Sequence, residues 1–193
     1  MRRSAYSVEA VSVNSAAMLR DILAAYFDAM PESWHYLDAE EYYGRLLGDE
    51  NTIHILLRRD ERPIGYLLAI PHDAAVNDKE LQQADPGLTK DPDRHYIETM
   101  EIVPEYGRSL VGGRLCMMML QALVEEAAAR GINRFSMHAR VTTGLNQALR
   151  KIYGDMLTQF RTIEKWPFYN GEEPAEYIEA TYRRRSEEGG ITG

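Results

Sequence analysis

The chain has 193 residues, 45% of them hydrophobic and 27% charged, which suits one domain with its own core. A net charge of −8 and a pI near 5.2 argue against nucleic-acid phosphate as a partner and are compatible with cationic amine substrates. The single cysteine, Cys116, excludes an internal disulfide and a multi-cysteine zinc site, and its apolar neighbours suit a small buried hydrophobe. No run of about 18 apolar residues is present to span a membrane. Glu9 and Asn14 interrupt any signal-peptide core, so a cytoplasmic location is expected.

Residues 5–13 alternate loosely and predict a first strand. Asn14 is placed to cap a helix through about Met30, with Met18, Leu19, Ile22, Ala25 and Tyr26 on one face and Pro31 as its stop. Asp38 and Glu41 make a capping-box pattern for a second helix, whose apolar stripe is Ala39, Tyr42, Tyr43, Leu46 and Leu47 and whose end is Gly48. The β-rich runs 52–57 and 64–70, joined by the charged segment 58–62, predict an antiparallel hairpin. Residues 71–93 are polar and punctuated by Pro71, Pro86, Gly87 and Pro92, which predicts an insertion or mobile loop with one short helix near Asp78–Ala84.

A strand at about 95–103 then leads into a long helix at roughly 110–130, with Gly131 as its C-terminal signal. Residues 134–139 predict the next strand, with Phe135, Met137 and Ala139 sharing a face. Thr142 or Thr143 caps a helix ending near Tyr153, and strands near 156–164 and 175–182 finish the sheet. A polar tail, 183–193, is expected to fray. The order of elements gives an α/β fold: one domain over 1–182, built on a mixed, mostly antiparallel central sheet with helices on both faces.

The segment from Glu105 to Gly113 joins strand to helix and contains three glycines. The first N–H groups of a helix lack internal partners and carry partial positive charge, so such a turn is a ready anion site. It is neither a Walker loop, which needs Gly-Lys-Ser/Thr, nor a dinucleotide fingerprint, whose glycines fall at other offsets. Downstream, Asn146 and Tyr153 are seven residues apart, which puts both on one helix face, about 10 Å from each other. Glu98 and Glu101 have odd spacing in a strand and are expected on opposite faces. His138 on the neighbouring strand is a second candidate base. Trp34, Tyr36, Tyr42 and Tyr43 cluster between the first two helices, and Trp166, Phe168 and Tyr169 lie in a late loop. The histidines show no metal-ligand spacing, and no metal is expected.

Strand, glycine-bearing turn, long helix and the Asn146–Tyr153 helix together resemble the GCN5-related N-acetyltransferase (GNAT) family, in element order over nearly the whole chain outside 71–93. The family's loop, Arg/Gln-x-x-Gly-x-Gly/Ala, is matched in part: Gly112 holds the last position, but Gly107 stands at the first and Leu110 at the middle glycine. The resemblance implies acetyl-CoA as cosubstrate, its pyrophosphate on Arg108, Ser109, Leu110, Val111, Gly112, Gly113 and Arg114. It implies that Met100, Ile102 and Val103 border the cleft and that Asn146 contacts the pantetheine region. It also implies Glu98 as general base and Tyr153 as the acid that protonates the leaving thiolate. The acceptor would be a small-molecule or peptide amine held between the two aromatic clusters. A non-catalytic acyl-CoA-binding sensor or interaction module of the same fold is the alternative reading. The late aromatics Trp166, Phe168, Tyr169, Tyr177 and Tyr182 suggest a homodimer.

Overall fold

The structure is a computed structural model that describes residues 5–11, 15–32, 35–168 and 173–183. Asn14, Trp34, Tyr169 and the tail from residue 184 lie outside the described residues. In chain order the elements are β1 (Tyr6–Ala10), α1 (Ala16–Ala29), α2 (Ala39–Leu47), β2 (Ile53–Arg59), β3 (Arg62–Pro71), α3 (His72–Val76), α4 (Lys79–Ala84), β4 (Arg94–Ile102), α5 (Pro104–Gly107), α6 (Gly112–Ala129), β5 (Arg134–Arg140), α7 (Leu145–Tyr153), β6 (Leu157–Trp166) and β7 (Glu173–Thr181). They form one seven-stranded sheet in the order β1-β2-β3-β4-β5-β7-β6, and only the β4–β5 pair is parallel.

Side-chain alternation divides the core between the two faces of the sheet. Ile55, Leu57, Leu67, Ala69 and Ile97 turn to one side and pack with Leu115, Met119 and Leu123 of α6 and Leu149 of α7. Leu56, Tyr66, Leu68 and Tyr96 turn to the other, against Ile22 and Tyr26 of α1 and Tyr43 of α2. The end of α6 is closed by Gly131 at φ 78°: Ile132 N–H bonds Ala127 O at 2.9 Å and Gly131 N–H bonds Ala128 O at 3.1 Å. Those are the two bonds of a Schellman cap, which a left-handed glycine permits.

Local details depart from the sequence reading. Ser15 caps α1, its hydroxyl accepting from Met18 N–H at 3.2 Å. Asp38 makes no side-chain cap bond, so the expected capping box does not form. Residues 71–93 hold two short helices and are tied to the sheet: His72 bonds Ser136 Oγ at 2.8 Å, and Asp91 pairs with Arg94 and Arg134. Among the described residues, the late aromatics pack within the subunit. Trp166 and Tyr177 are buried, and Phe168 packs against Trp166. No helix among the described residues is long and apolar enough to cross a membrane.

Candidate active site

β4 and β5 are paired only over Arg94–Ile97 and Arg134–Met137. Beyond Ile97 and Met137 the two strands part, and the gap opens into a cleft of about 1040 Å³. Glu98, Met100, Glu101 and Ile102 of β4 face His138, Ala139 and Arg140 of β5 across it. Leu145, Ala148 and Ile152 of α7 and Cys116 and Met117 of α6 complete the wall. Val103 N–H bonds Ile64 O at 2.9 Å, toward β3. Strand backbone groups alternate sides, so the N–H groups of Ile102 and Met100 turn away from β3, to the cleft.

Arg108, Gly112, Gly113 and Arg114 border the cleft where α6 begins. A β-carbon on Gly112 would lie 2.0 Å from Gly107 O, a contact no side chain tolerates. Glycine is therefore required there by the loop's own backbone rather than by a ligand. Gly113 has open space where its side chain would stand. Among the described residues its N–H and that of Arg114 have no acceptor, and α6 has no side-chain cap. Two guanidinium groups, two free N–H groups and a bare Cα suit a multiply charged anion such as a pyrophosphate.

Other expected cofactor contacts lie elsewhere. Ser109 turns its hydroxyl inward to Tyr106 O, at 2.5 Å, Leu110 points into solvent, Val111 packs against the core and Val103 is buried in it. Asn146 is buried and donates to Glu176 Oε2 at 2.9 Å, holding α7 to β7. Tyr153 lines a separate cavity of about 70 Å³ with Leu120, Phe135, Leu149 and Tyr182. Asn146, Leu149 and Tyr153 thus share the inward face of α7, while Leu145, Ala148 and Ile152 present the cleft face. Glu98 and Tyr153 are not brought together.

The two strand carboxylates are. Leu68 pairs with Thr99 and Ala69 with Ile97, so Glu98 is an extra residue on β4, a bulge that breaks the alternation. This overturns the expectation of opposite faces: Glu98 and Glu101 both line the one cleft. Burial raises Glu98 to about 7, with Asp78 adding to the rise and a hydrogen bond from Tyr42 opposing it. Tyr42 Oη donates to Glu98 Oε1 at 2.5 Å. Glu98 Oε2 is buried and has no partner among the described residues. Glu101 is also raised to about 7 by burial, with Arg140 pulling it down.

The bond from Tyr42 to Glu98 and the placement of Glu101 beside it escaped the sequence reading, and no local spacing could have found them. Tyr42 reaches Glu98 across the fold, and Glu101 is turned by a bulge that leaves no sequence mark. His138, the second candidate base, also lines the cleft, but both its ring nitrogens are engaged, with Tyr96 and Asp85. No group of three or more metal-ligating side chains occurs among the described residues.

Comparison with known proteins agrees with this architecture. The chain resembles the ribosomal-protein-S18-alanine N-acetyltransferase of Escherichia coli at a TM-score of 0.62 and 14% identity, covering 95% of this chain and 98% of that one. An N-acetyltransferase of Staphylococcus aureus Mu50 gives a TM-score of 0.63 at 11% identity, over 92% and 99% of the two chains. The PaiA N-acetyltransferase of Thermoplasma acidophilum, solved in complex with coenzyme A, gives 0.54 at 13% identity, over 91% and 99%. No curated protein sequence matches. At such identities the likeness speaks for the fold alone; the family model described as "Acetyltransferase (GNAT) family" matches residues 17–156, most of the chain, its parted strands and its glycine-bearing turn included. The protein therefore belongs to the GNAT acetyltransferase family.

Proposed function

We propose that the chain transfers an acetyl group from acetyl-CoA to the amine of a small molecule or peptide, by direct attack of the amine on the thioester. The observation that carries this reading is the unpartnered Oε2 of Glu98, on a carboxyl raised to about 7 beside the parted strands. Near neutral pH such a group is poised to take a proton from an alkylammonium and release the nucleophile. A structural carboxylate would have both oxygens satisfied.

Arg108, Gly113 and Arg114 would hold the pyrophosphate of acetyl-CoA, and the N–H groups of Ile102 and Met100 would stabilise the oxyanion that forms on attack. Glu101 gives the same cleft a second carboxylate suited to a cationic acceptor. The PaiA structure with coenzyme A supports the cosubstrate, since that enzyme shares this fold.

The test is turnover followed by thiol release, with acetyl-CoA and a panel of a diamine, a lysine peptide and an alanine-terminal peptide. Transfer to at least one member, abolished or much reduced in Glu98→Gln, is expected. Tight acetyl-CoA binding by calorimetry with no transfer to any amine would favour a sensor instead.

A further inference from the structure

We propose that the small cavity beside the seam of β4 and β5 holds the alkyl chain of the acyl donor, so that the site takes straight acyl groups of roughly four to six carbons as well as acetyl. The inference rests on the acyl transfer proposed above.

The cavity, of about 70 Å³, and the cleft share two walls, Ile97 and Met137. These are the last residues paired between β4 and β5, so they stand at the root of the slit. Both belong to the core on the α6 and α7 side of the sheet, as do Met100, Cys116, Met117 and Leu145 of the cleft. The cavity therefore lies against that half of the cleft, away from the half where Tyr42 meets Glu98. Leu123 of α6, Phe135 of β5, Leu149 of α7 and Ile178 of β7 close it. Among the described residues no charged side chain lines it, and the Ser136 hydroxyl on its border is engaged with His72. A cavity of this composition stays dry and favours an apolar guest.

Three bonds leave the carbonyl carbon of a bound thioester, and the site directs two of them. The oxygen turns to the N–H groups of Ile102 and Met100, on the open side of β4. The sulfur turns to α6, where CoA would run toward Gly113 and Arg114. The alkyl substituent takes the remaining direction, down the slit to Ile97 and Met137. In acetyl it is a methyl group and ends short of them. A longer chain meets Met137, whose unbranched side chain turns about three bonds and yields where a branched one would not. An apolar cavity of about 150 Å³ takes a six-carbon ring, so one of about 70 Å³ takes roughly three carbons. The amine is presented by Glu98 from the opposite face, so lengthening the chain does not crowd the acceptor.

The chemistry does not change with chain length. The nitrogen lone pair forms the N–C bond, and the C–S bond breaks with its pair on sulfur. Of the two protons that the alkylammonium loses, Glu98 takes one and the leaving thiolate takes the other. Glu98 then discharges its proton to solvent.

The experiment measures binding of acetyl-, butyryl- and hexanoyl-CoA by calorimetry on wild type, Ala180→Leu and Val124→Leu. Thiol release follows each donor with the amine panel. Ala180 and Val124 line the cavity and not the cleft, so the added carbons fill the cavity alone. Each buried methylene should tighten binding roughly fourfold, so hexanoyl-CoA should bind wild type roughly 10- to 50-fold more tightly than acetyl-CoA. In either filled variant that ratio should fall below about threefold. Wild type that binds hexanoyl-CoA no more tightly than acetyl-CoA overturns the proposal, and so does a folded filled variant that keeps the wild-type ratio. If thermal unfolding shows that one filled variant has lost its fold, the other decides. Wild type that binds no acyl-CoA overturns the cosubstrate reading, and this proposal with it. A gain with chain length but no transfer to any amine upholds the occupant of the cavity and overturns the transfer reading instead.

Discussion

Tyr42 on α2 donates a 2.5 Å hydrogen bond to Glu98 on β4, from 56 positions away in the chain. The bond favours the ionised carboxylate, opposing the burial that raises it to about 7. Tyr42→Phe removes that opposition, so the Glu98 pKa should climb. The acidic limb of the pH–rate profile should move upward by roughly one pH unit, as expected from losing a charge-assisted bond of ~1.5–3 kcal/mol. An unmoved limb would show that Glu98 does not set it.

Glu98→Gln should cut turnover by roughly 100-fold or more and abolish that limb, because an amide cannot accept the proton. Its effect on stability should have the opposite sign. The folded carboxyl titrates near 7 and the unfolded one near the ordinary glutamate value, so the native state binds the extra proton between them. Stability falls as pH rises through that window. At pH 8 the glutamine variant should therefore unfold several degrees higher than wild type, by about 3 kcal/mol, and the gain should fade below pH 4.5. Thermal unfolding across pH measures it.

Gly112 and Gly113 are adjacent but should respond differently. Gly112→Val drives a side chain into Gly107 O, so loss of thermal stability should accompany loss of acetyl-CoA binding. Gly113→Val projects into open space at the mouth of the cleft. It should leave the unfolding temperature nearly unchanged and weaken acetyl-CoA by roughly tenfold, about 1.4 kcal/mol, in calorimetry.

Tyr153→Phe should keep turnover within about threefold of wild type, since general acid–base groups typically contribute ~10²–10⁴-fold and this hydroxyl borders a different cavity. A loss of tenfold or more on an active acceptor would return Tyr153 to the reaction.

The elements were legible because they rest on local rules: Gly131 closing α6, the hairpin from β2 to β3, and the turn between β4 and α6. Of the single residues singled out in the sequence, Glu98, Arg108, Gly113 and Arg114 border the cleft. Seven-residue spacing correctly put Asn146 and Tyr153 on one face of α7, but spacing fixes the relation between two side chains and not which way their shared face turns. Only the packing of Leu149 and the bond to Glu176 reveal that this face is the inner one. The β4 carboxylates failed for a related reason. Alternation assumes one residue per ladder step, and the bulge at Glu98 inserts a second. His138 meets Tyr96 and Asp85 from separate segments, and neither composition nor period encodes such a meeting.

The four ladder positions shared by β4 and β5 have a mechanical consequence. Strands β1 to β4 and β5 to β7 are two panels joined along one short seam, with the cleft as the open slit beyond it. The segment after β3 stitches across the same seam: His72 reaches Ser136 on β5, Asp91 reaches Arg134, and Asp85 grips Arg161 on β6. Any force that pries the slit apart must load these stitches. The angle between the panels, and so the gauge of molecule that fits between them, is set from the far side of the seam by a segment that borders none of the cleft.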